Sequence, residues 1–283
     1  MLCFALLIAS SFSVGGLATR ELAPTALQAI RYLIAAIVLL PLVVLTARQN
    51  LRRPAEPMRF VVLGFLMAVY MVTMFVALRF TKPVATGAVF TLMPLLSAGF
   101  AWLLIRQRTR LGVLTALSIA AIGAVWVIFQ GDIDALLSFS VARGELIYFV
   151  GVICHAAYVP LLRLFNRGEP PAIFMLWSVL ATLLFIAIAA VPDLAAVDLT
   201  AIPWTVWAAA AYLAIATTVT TFFLLQYASL RLPAPKVLAY GYLTPTFIIV
   251  LEGLIGHGWA SASVFAGALV TACGLVAMAA LPD

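Results

Sequence analysis

The chain has 283 residues, 66% of them hydrophobic and only 9% charged, with a mean hydropathy of +1.19. Soluble domains carry about 25% charged residues, so this composition excludes a water-soluble globular fold and leaves the lipid bilayer as solvent. Lipid restricts spanning structures to helices and closed barrels, because every backbone N–H and C=O must find its partner inside the protein. Barrel strands alternate with period two over about ten residues, whereas the apolar runs here, such as Leu111 to Phe129 and Ala172 to Val191, are continuous. The expected fold is an all-α integral membrane protein.

A transmembrane helix needs about 20 mostly apolar residues. In chain order, ten segments meet that length: 1–18, 26–47, 58–80, 84–105, 111–129, 144–164, 172–191, 204–230, 235–256 and 260–281. The first lacks the basic start of a signal peptide and reads as a retained helix. Turn formers mark the short connections: Arg52-Arg53-Pro54, Gly131-Asp132, Gly168-Glu169-Pro170-Pro171 and Pro192-Asp193. Cys3, Cys154 and Cys273 lie within apolar runs and read as small buried hydrophobes.

Basic residues give an orientation. With the N-terminus inside, Arg48, Arg52, Arg53, Arg59, Arg106, Arg108, Arg110, Arg163, Arg167, Arg231 and Lys236 fall on the inner face. Arg20, Arg79, Lys82 and Arg143 fall on the outer face, and Arg31 remains within the second helix. This asymmetry satisfies the positive-inside rule and predicts cytoplasmic termini. It also accounts for the net charge of +6 without a nucleic-acid partner.

The two halves share landmarks. A shift of 151 places Ala77 on Ala228, Leu92-Met93-Pro94 on Leu243-Thr244-Pro245 and Gly123 on Gly274; a shift of 146 places Phe12 on Tyr158. Five helices per half make the second copy (138–283) inverted relative to the first (1–137), a construction common in secondary transporters. Pro94 and Pro245 fall near the middle of the fourth and ninth helices. Paired interruptions of this kind either mark a transporter's binding site or are packing kinks.

Several of these residues carry a family likeness: Leu27-Gln28-Ala29-Ile30-Arg31-Tyr32, Gly144-Glu145-Leu146, and the two proline segments with their following Gly123 and Gly274. In them the whole chain resembles the drug/metabolite transporter superfamily, in its ten-helix EamA-type branch, and is most similar to the YddG-type exporters of aromatic and other amino acids. The resemblance implies a basket of ten helices around a central cavity, with the fifth and tenth helices packed outside it. It also implies export of amino acids or related small metabolites across the bacterial inner membrane. Family members commonly carry an acidic residue in the tight turns after the fourth and ninth helices; here Gln107 and Gly258 stand there.

Candidate solute-binding residues follow from polar and aromatic groups at mid-helix depth. His155 lies near the centre of the sixth helix, with Tyr148 and Tyr158 near its face at helical spacing. Tyr240, Thr244 and Phe247, with Pro245, form a stripe on the ninth helix. Phe90 and Thr91 precede Pro94, while Tyr70, Thr73 and Trp177 stand at comparable depth. Each is also an ordinary packing residue; together they suggest an amphipathic cavity for a small, partly apolar solute. Arg31 either snorkels to the interface or pairs with a substrate carboxylate. Glu252 either reaches the interface or serves proton coupling or a solute ammonium.

Ala116-Ala120-Ala124 and Gly267–Thr271 are small-residue faces for close helix contact, within the chain or in a weak homodimer. No metal-ligand spacing or Walker-type G-x-x-x-x-G-K-[ST] occurs, so no cofactor is expected and the partners are a small solute and the bilayer. Competing readings are a multidrug exporter of the same fold, an ion channel, and an intramembrane enzyme using His155 and Glu252.

Overall fold

The computed structural model describes residues 1–47, 54, 56–81, 86, 89–138, 141–254 and 261–281. All regular structure among them is helical. Eight helices are long and apolar enough to cross a membrane, and two shorter apolar ones complete ten segments. These are α1 (Leu2–Ala18), α2 (Pro24–Ala47), α3 (Pro57–Ala77), α4 (Met93–Ile105), α5 (Leu111–Ile128), α6 (Arg143–Phe165), α7 (Pro171–Ala196), α8 (Trp204–Ser229), α9 and α10 (Ala262–Ala280). The ninth segment is composite: an α-helical start (Ala234–Ala239), a 3-10 turn (Tyr240–Leu243) and a second α-helical stretch (Thr244–Leu254).

Three local features differ from the expectation. Pro192-Asp193 does not end α7, which runs on to Ala196. Pro192 removes one N–H and crowds the carbonyl four residues earlier, but the Asp193 carboxylate accepts the Thr25 hydroxyl of α2, tying that last turn down. The Gly131-Asp132 connection holds a short helix, Ile133–Leu137, whose first amides donate to the Asp132 side chain at 2.9 and 3.1 Å. Cys3 and Cys273 are exposed on the outer surface and Cys154 is half-buried. In lipid an outward thiol is simply an apolar surface group, so residence in an apolar run does not imply burial.

Pro94 and Pro245 break their helices outright. Pro94 stands second in α4, after a turn in which the Leu92 amide donates to the Val89 carbonyl at 3.2 Å. Pro245 likewise stands second in the last stretch of α9, directly after the 3-10 turn. Starting a new helix at proline avoids the clash and lost bond that an interior proline brings. After α4 the chain reverses through Arg106 in the left-handed region (φ 55°), with the Gln107 amide donating to Ala101 at 3.1 Å. Gly258 lies outside the described residues.

Helices α1 to α4 and α6 to α9 share one core, while α5 and α10 form a second with Ala239 and Tyr242 of α9. The resemblance's arrangement of the fifth and tenth helices is visible here as a separate, closely packed pair. A Cβ on Gly123 would lie 2.6 Å from the Thr271 amide nitrogen, and one on Gly274 would lie 2.7 Å from the Ala120 nitrogen. The small faces therefore meet one another within the chain. Gly64 performs the same service where α3 crosses α7, with Ala181 backbone 2.5 Å from the position of a Cβ.

Polar groups tie both ends of the bundle. At the start of α3, Arg59 forms an ion pair with Glu169 and donates to the carbonyls of Phe165 at 2.6 Å and Glu56 at 3.2 Å. Exposed Arg167 pairs with Glu56 at 3.2 Å beside it. At the far end of α3, Thr81 donates to Glu145, whose other oxygen accepts the Ala142 amide at 2.8 Å. Partial burial alone would raise the pKa of the Glu169 carboxyl, but hydrogen bonds from Arg59 and the Arg167 amide outweigh it and hold the group below the usual carboxylate range.

Two outcomes test this packing. Gly274→Leu should destabilise the detergent-solubilised protein by about 1–3 kcal/mol, the usual cost of overpacking, while Gly16→Ala, with open space around its Cβ, should leave the unfolding midpoint unchanged. The depressed Glu169 carboxyl adds stability that is complete above its ordinary value of about 4.5 and is lost as pH falls through its lower folded value. Unfolding midpoints of wild type and Glu169→Gln should accordingly differ at pH 7 and converge in acid.

Candidate functional site

A small cavity of about 30 Å³ lies among α1, α3, α6, α8, α9 and the turn before α4. Its wall is Phe4 and Ile8 of α1, Met67, Tyr70 and Met71 of α3, Phe90, His155 of α6, Thr221, Phe222 and Leu225 of α8, and Leu238 of α9. These residues are neighbours because each helix turns one apolar stripe inward: positions 67, 70 and 71 stack at the three- and four-residue helical spacing, as do 221, 222 and 225.

His155 anchors an aromatic run through the bundle. Its ring centroid lies 4.3 Å from that of Tyr70 and 5.8 Å from that of Tyr158. Tyr70 in turn faces Tyr148 at 6.2 Å, Tyr158 meets Phe222 edge-on at 6.3 Å, and Phe222 meets Tyr32 edge-on at 6.3 Å. Offset and edge-on contacts at these distances are the favourable ones for aromatic pairs. His155 Nδ1 lies 3.0 Å from the Met93 sulfur, so the ring is held by two tyrosine rings and a thioether. Gly151, one turn before His155, lets α6 approach α3; a Cβ there would overlap the Thr73 hydroxyl. Thr73 itself donates to the Val69 carbonyl at 2.7 Å.

Of the residues singled out in the sequence, Tyr70, Phe90 and His155 come together on the cavity wall. Tyr158 stands directly behind it, fully buried. Thr91 and Pro94 are buried at the break before α4 but away from the wall. Trp177 is half-buried on α7, and its buried indole N–H has no partner among the described residues. The α9 stripe does not reach the cavity: Tyr240 packs toward the α5–α10 core, and Leu238 takes the place on the wall. A 3-10 turn advances about 120° per residue instead of about 100°, so Tyr240, Thr244, Pro245 and Phe247 leave the face that regular spacing would give them. The side chain of Glu252 lies outside the described residues.

Arg31 does not snorkel. It is 2% exposed and turned into the bundle. Its Nε donates to Thr218 Oγ1 at 2.6 Å, Nη2 to Thr217 Oγ1 at 3.0 Å, and Nη1 approaches Gln28 Oε1 at 3.5 Å. Both threonines sit in a π-helical stretch of α8, Leu213–Val219. Such wide turns recur at functional sites, and no composition or spacing signal in α8 announced this one. The wall residues Met67, Met71 and Leu225 were likewise indistinguishable in sequence from lipid-facing ones. Among the described residues no group of three potential metal ligands comes together.

Comparison with known proteins agrees with this architecture. A curated relative from Bacillus subtilis (strain 168), described as an uncharacterized transporter, YyaM, is 25% identical over 260 residues, covering 90% of this chain and 85% of that protein. A solved structure, described only as the crystal structure of a protein, superposes with a TM-score of 0.76 at 19% identity, covering 98% of this chain and 95% of the other, and shows likeness of fold alone. The model of the EamA-like transporter family matches residues 1–129 and again 142–280. Nearly the whole chain is thus accounted for, and it belongs to the EamA-like transporter family, a multi-pass membrane transporter.

Proposed function

We propose that this chain exports amino acids, aromatic ones among them, or related small metabolites across the bacterial inner membrane by alternating access. The observation that carries the reading is the aromatic cavity walled by helices from both halves, with Tyr70 and His155 ring to ring on its wall. Two separate matches of the family model, one per half, support an inverted pair of five-helix units, and the distribution of arginines supports cytoplasmic termini.

At about 30 Å³ the cavity holds little more than one or two waters. A solute is accommodated only when helices separate, and the polar ties at the two ends of α3 are the contacts such a movement would exchange. Opening toward one side at a time is what the two-ended arrangement permits. Among the described residues the cavity wall holds His155 and no carboxylate. The enzyme reading gains nothing from the surroundings of His155, whose neighbours are a thioether and two tyrosines.

Proteoliposomes preloaded with radiolabelled amino acids provide the test. Wild-type protein should release aromatic amino acids saturably, with competition by their analogues, and Tyr70→Ala should weaken apparent affinity about 2–10-fold, as loss of an aromatic contact predicts. Absence of efflux across a broad amino-acid panel from folded protein overturns the substrate assignment, and efflux of amphipathic drugs in its place establishes the multidrug reading.

A further inference from the structure

Among the described residues, Arg31 is the buried cation that the helical ends and loops do not explain. It stands seven residues into α2, about 10 Å along the helix axis. A guanidinium at such depth is costly unless its charge and its N–H groups are matched. Its partners are two threonine hydroxyls and an amide oxygen, all neutral. The two described ion pairs involve Arg59 and Arg167, so among the described residues no carboxylate neutralises Arg31. Of five guanidinium N–H groups three are engaged, leaving one on each terminal nitrogen.

The surroundings are also built to receive an acceptor. Thr217 and Thr218 give their own protons to the Leu213 carbonyl, at 2.8 and 2.9 Å, which turns their lone pairs toward Arg31 and fixes the guanidinium plane. In a regular α-helix Thr218 would not reach Leu213, five residues back; the π-helical stretch makes that bond possible. Gln28, wholly buried one turn before Arg31, gives its oxygen to the guanidinium and leaves its Nε2 without a partner. Unused donors on two adjacent buried side chains, one of them charged, are matched by one chemistry: an anionic oxygen pair.

The position adjoins the solute cavity. Thr221, one turn along α8 from Thr217 and bonded to its carbonyl, lies on the cavity wall. Phe222 on the same wall packs against Tyr32, the next residue after Arg31.

We propose that Arg31 and Gln28 form the carboxylate-binding end of the solute site, with the aromatic wall of Tyr70, His155 and Phe222 receiving the side chain. The inference rests on the transport reading above and narrows it: solutes are carboxylate anions or zwitterions with an apolar body, and amines and cationic drugs are excluded. Arg31 is a binding residue, and the threonine pair positions it.

Phenylalanine, its amide, phenethylamine and 3-phenylpropionate serve as the probes, as competitors of labelled phenylalanine efflux and as stabilisers of the purified protein. Phenylalanine and 3-phenylpropionate should compete and raise the unfolding midpoint, whereas the amide and the amine should act about tenfold or more weakly, as loss of a charge-assisted bond predicts. Arg31→Gln should abolish that preference and Arg31→Lys should restore it in part, since lysine keeps the charge without the fork. Equal potency of acid, amide and amine on wild-type protein overturns the proposal even if Arg31→Gln fails to fold, as does unchanged preference in a folded Arg31→Gln. If amino-acid efflux is absent, stabilisation by 3-phenylpropionate but not phenethylamine still upholds the anion site while the transport assignment falls. Stabilisation by neither removes the site as well.

Discussion

Lipid tails are as apolar as leucine, so burying a leucine between two membrane helices gains little over leaving it in the bilayer. Association depends on van der Waals contact, which weakens steeply with separation, and so on how closely two backbones can approach. Gly123, Gly274 and Gly64 are among the points where this chain has no room for a single extra carbon. The α5–α10 pair and the α3–α7 crossing form there, and Gly151 brings α6 against α3 in the same way. With those contacts made, α3 and α6 hold Tyr70 and His155 ring to ring, and the cavity becomes the space left between this closely packed unit and α1, α8 and α9.

Two of the cavity's helices, α8 and α9, are irregular, as is the turn before α4. A break precedes α4 at Leu92, α8 widens into a π-helical stretch, and α9 tightens into a 3-10 turn before Pro245. Backbone groups freed by such breaks are tolerated at membrane depth only where protein surrounds them. The Leu213 carbonyl shows how this is met, accepting both Thr217 and Thr218 hydroxyls. The same bonds orient the hydroxyl oxygens toward Arg31, so a backbone irregularity and a buried cation satisfy one another.

Charge follows a similar economy of placement. Arg59 meets Glu169 at the end of the bundle, where partial solvation lowers the cost of an ion pair and hydrogen bonds from two residues hold the carboxylate ionised. Among the described residues Arg31, deeper in, meets neutral oxygens. Among the described residues one arginine is thus paired with a carboxylate and the other with neutral groups, the distinction on which the proposed anion site rests.

Composition alone determined the solvent and the helical class, since a chain with 9% charged residues cannot cover itself in water. The lengths of the apolar runs located all ten segments, and the paired prolines located the breaks in the fourth and ninth. The family was legible because motifs such as Leu27–Tyr32 are contiguous in sequence. The site was legible in part: Tyr70, Phe90 and His155 are distinctive residue types at mid-helix depth, while Met67, Met71 and Leu225 look the same in sequence whether they face lipid or cavity. The fate of the α9 stripe, the inward turn of Arg31 and the outward turn of Cys3 and Cys273 were decided only by tertiary structure. Hydropathy cannot tell a lipid-facing from a protein-facing apolar side chain, because both surroundings are equally dry, and helical spacing loses its meaning wherever a π or 3-10 turn changes the rotation per residue.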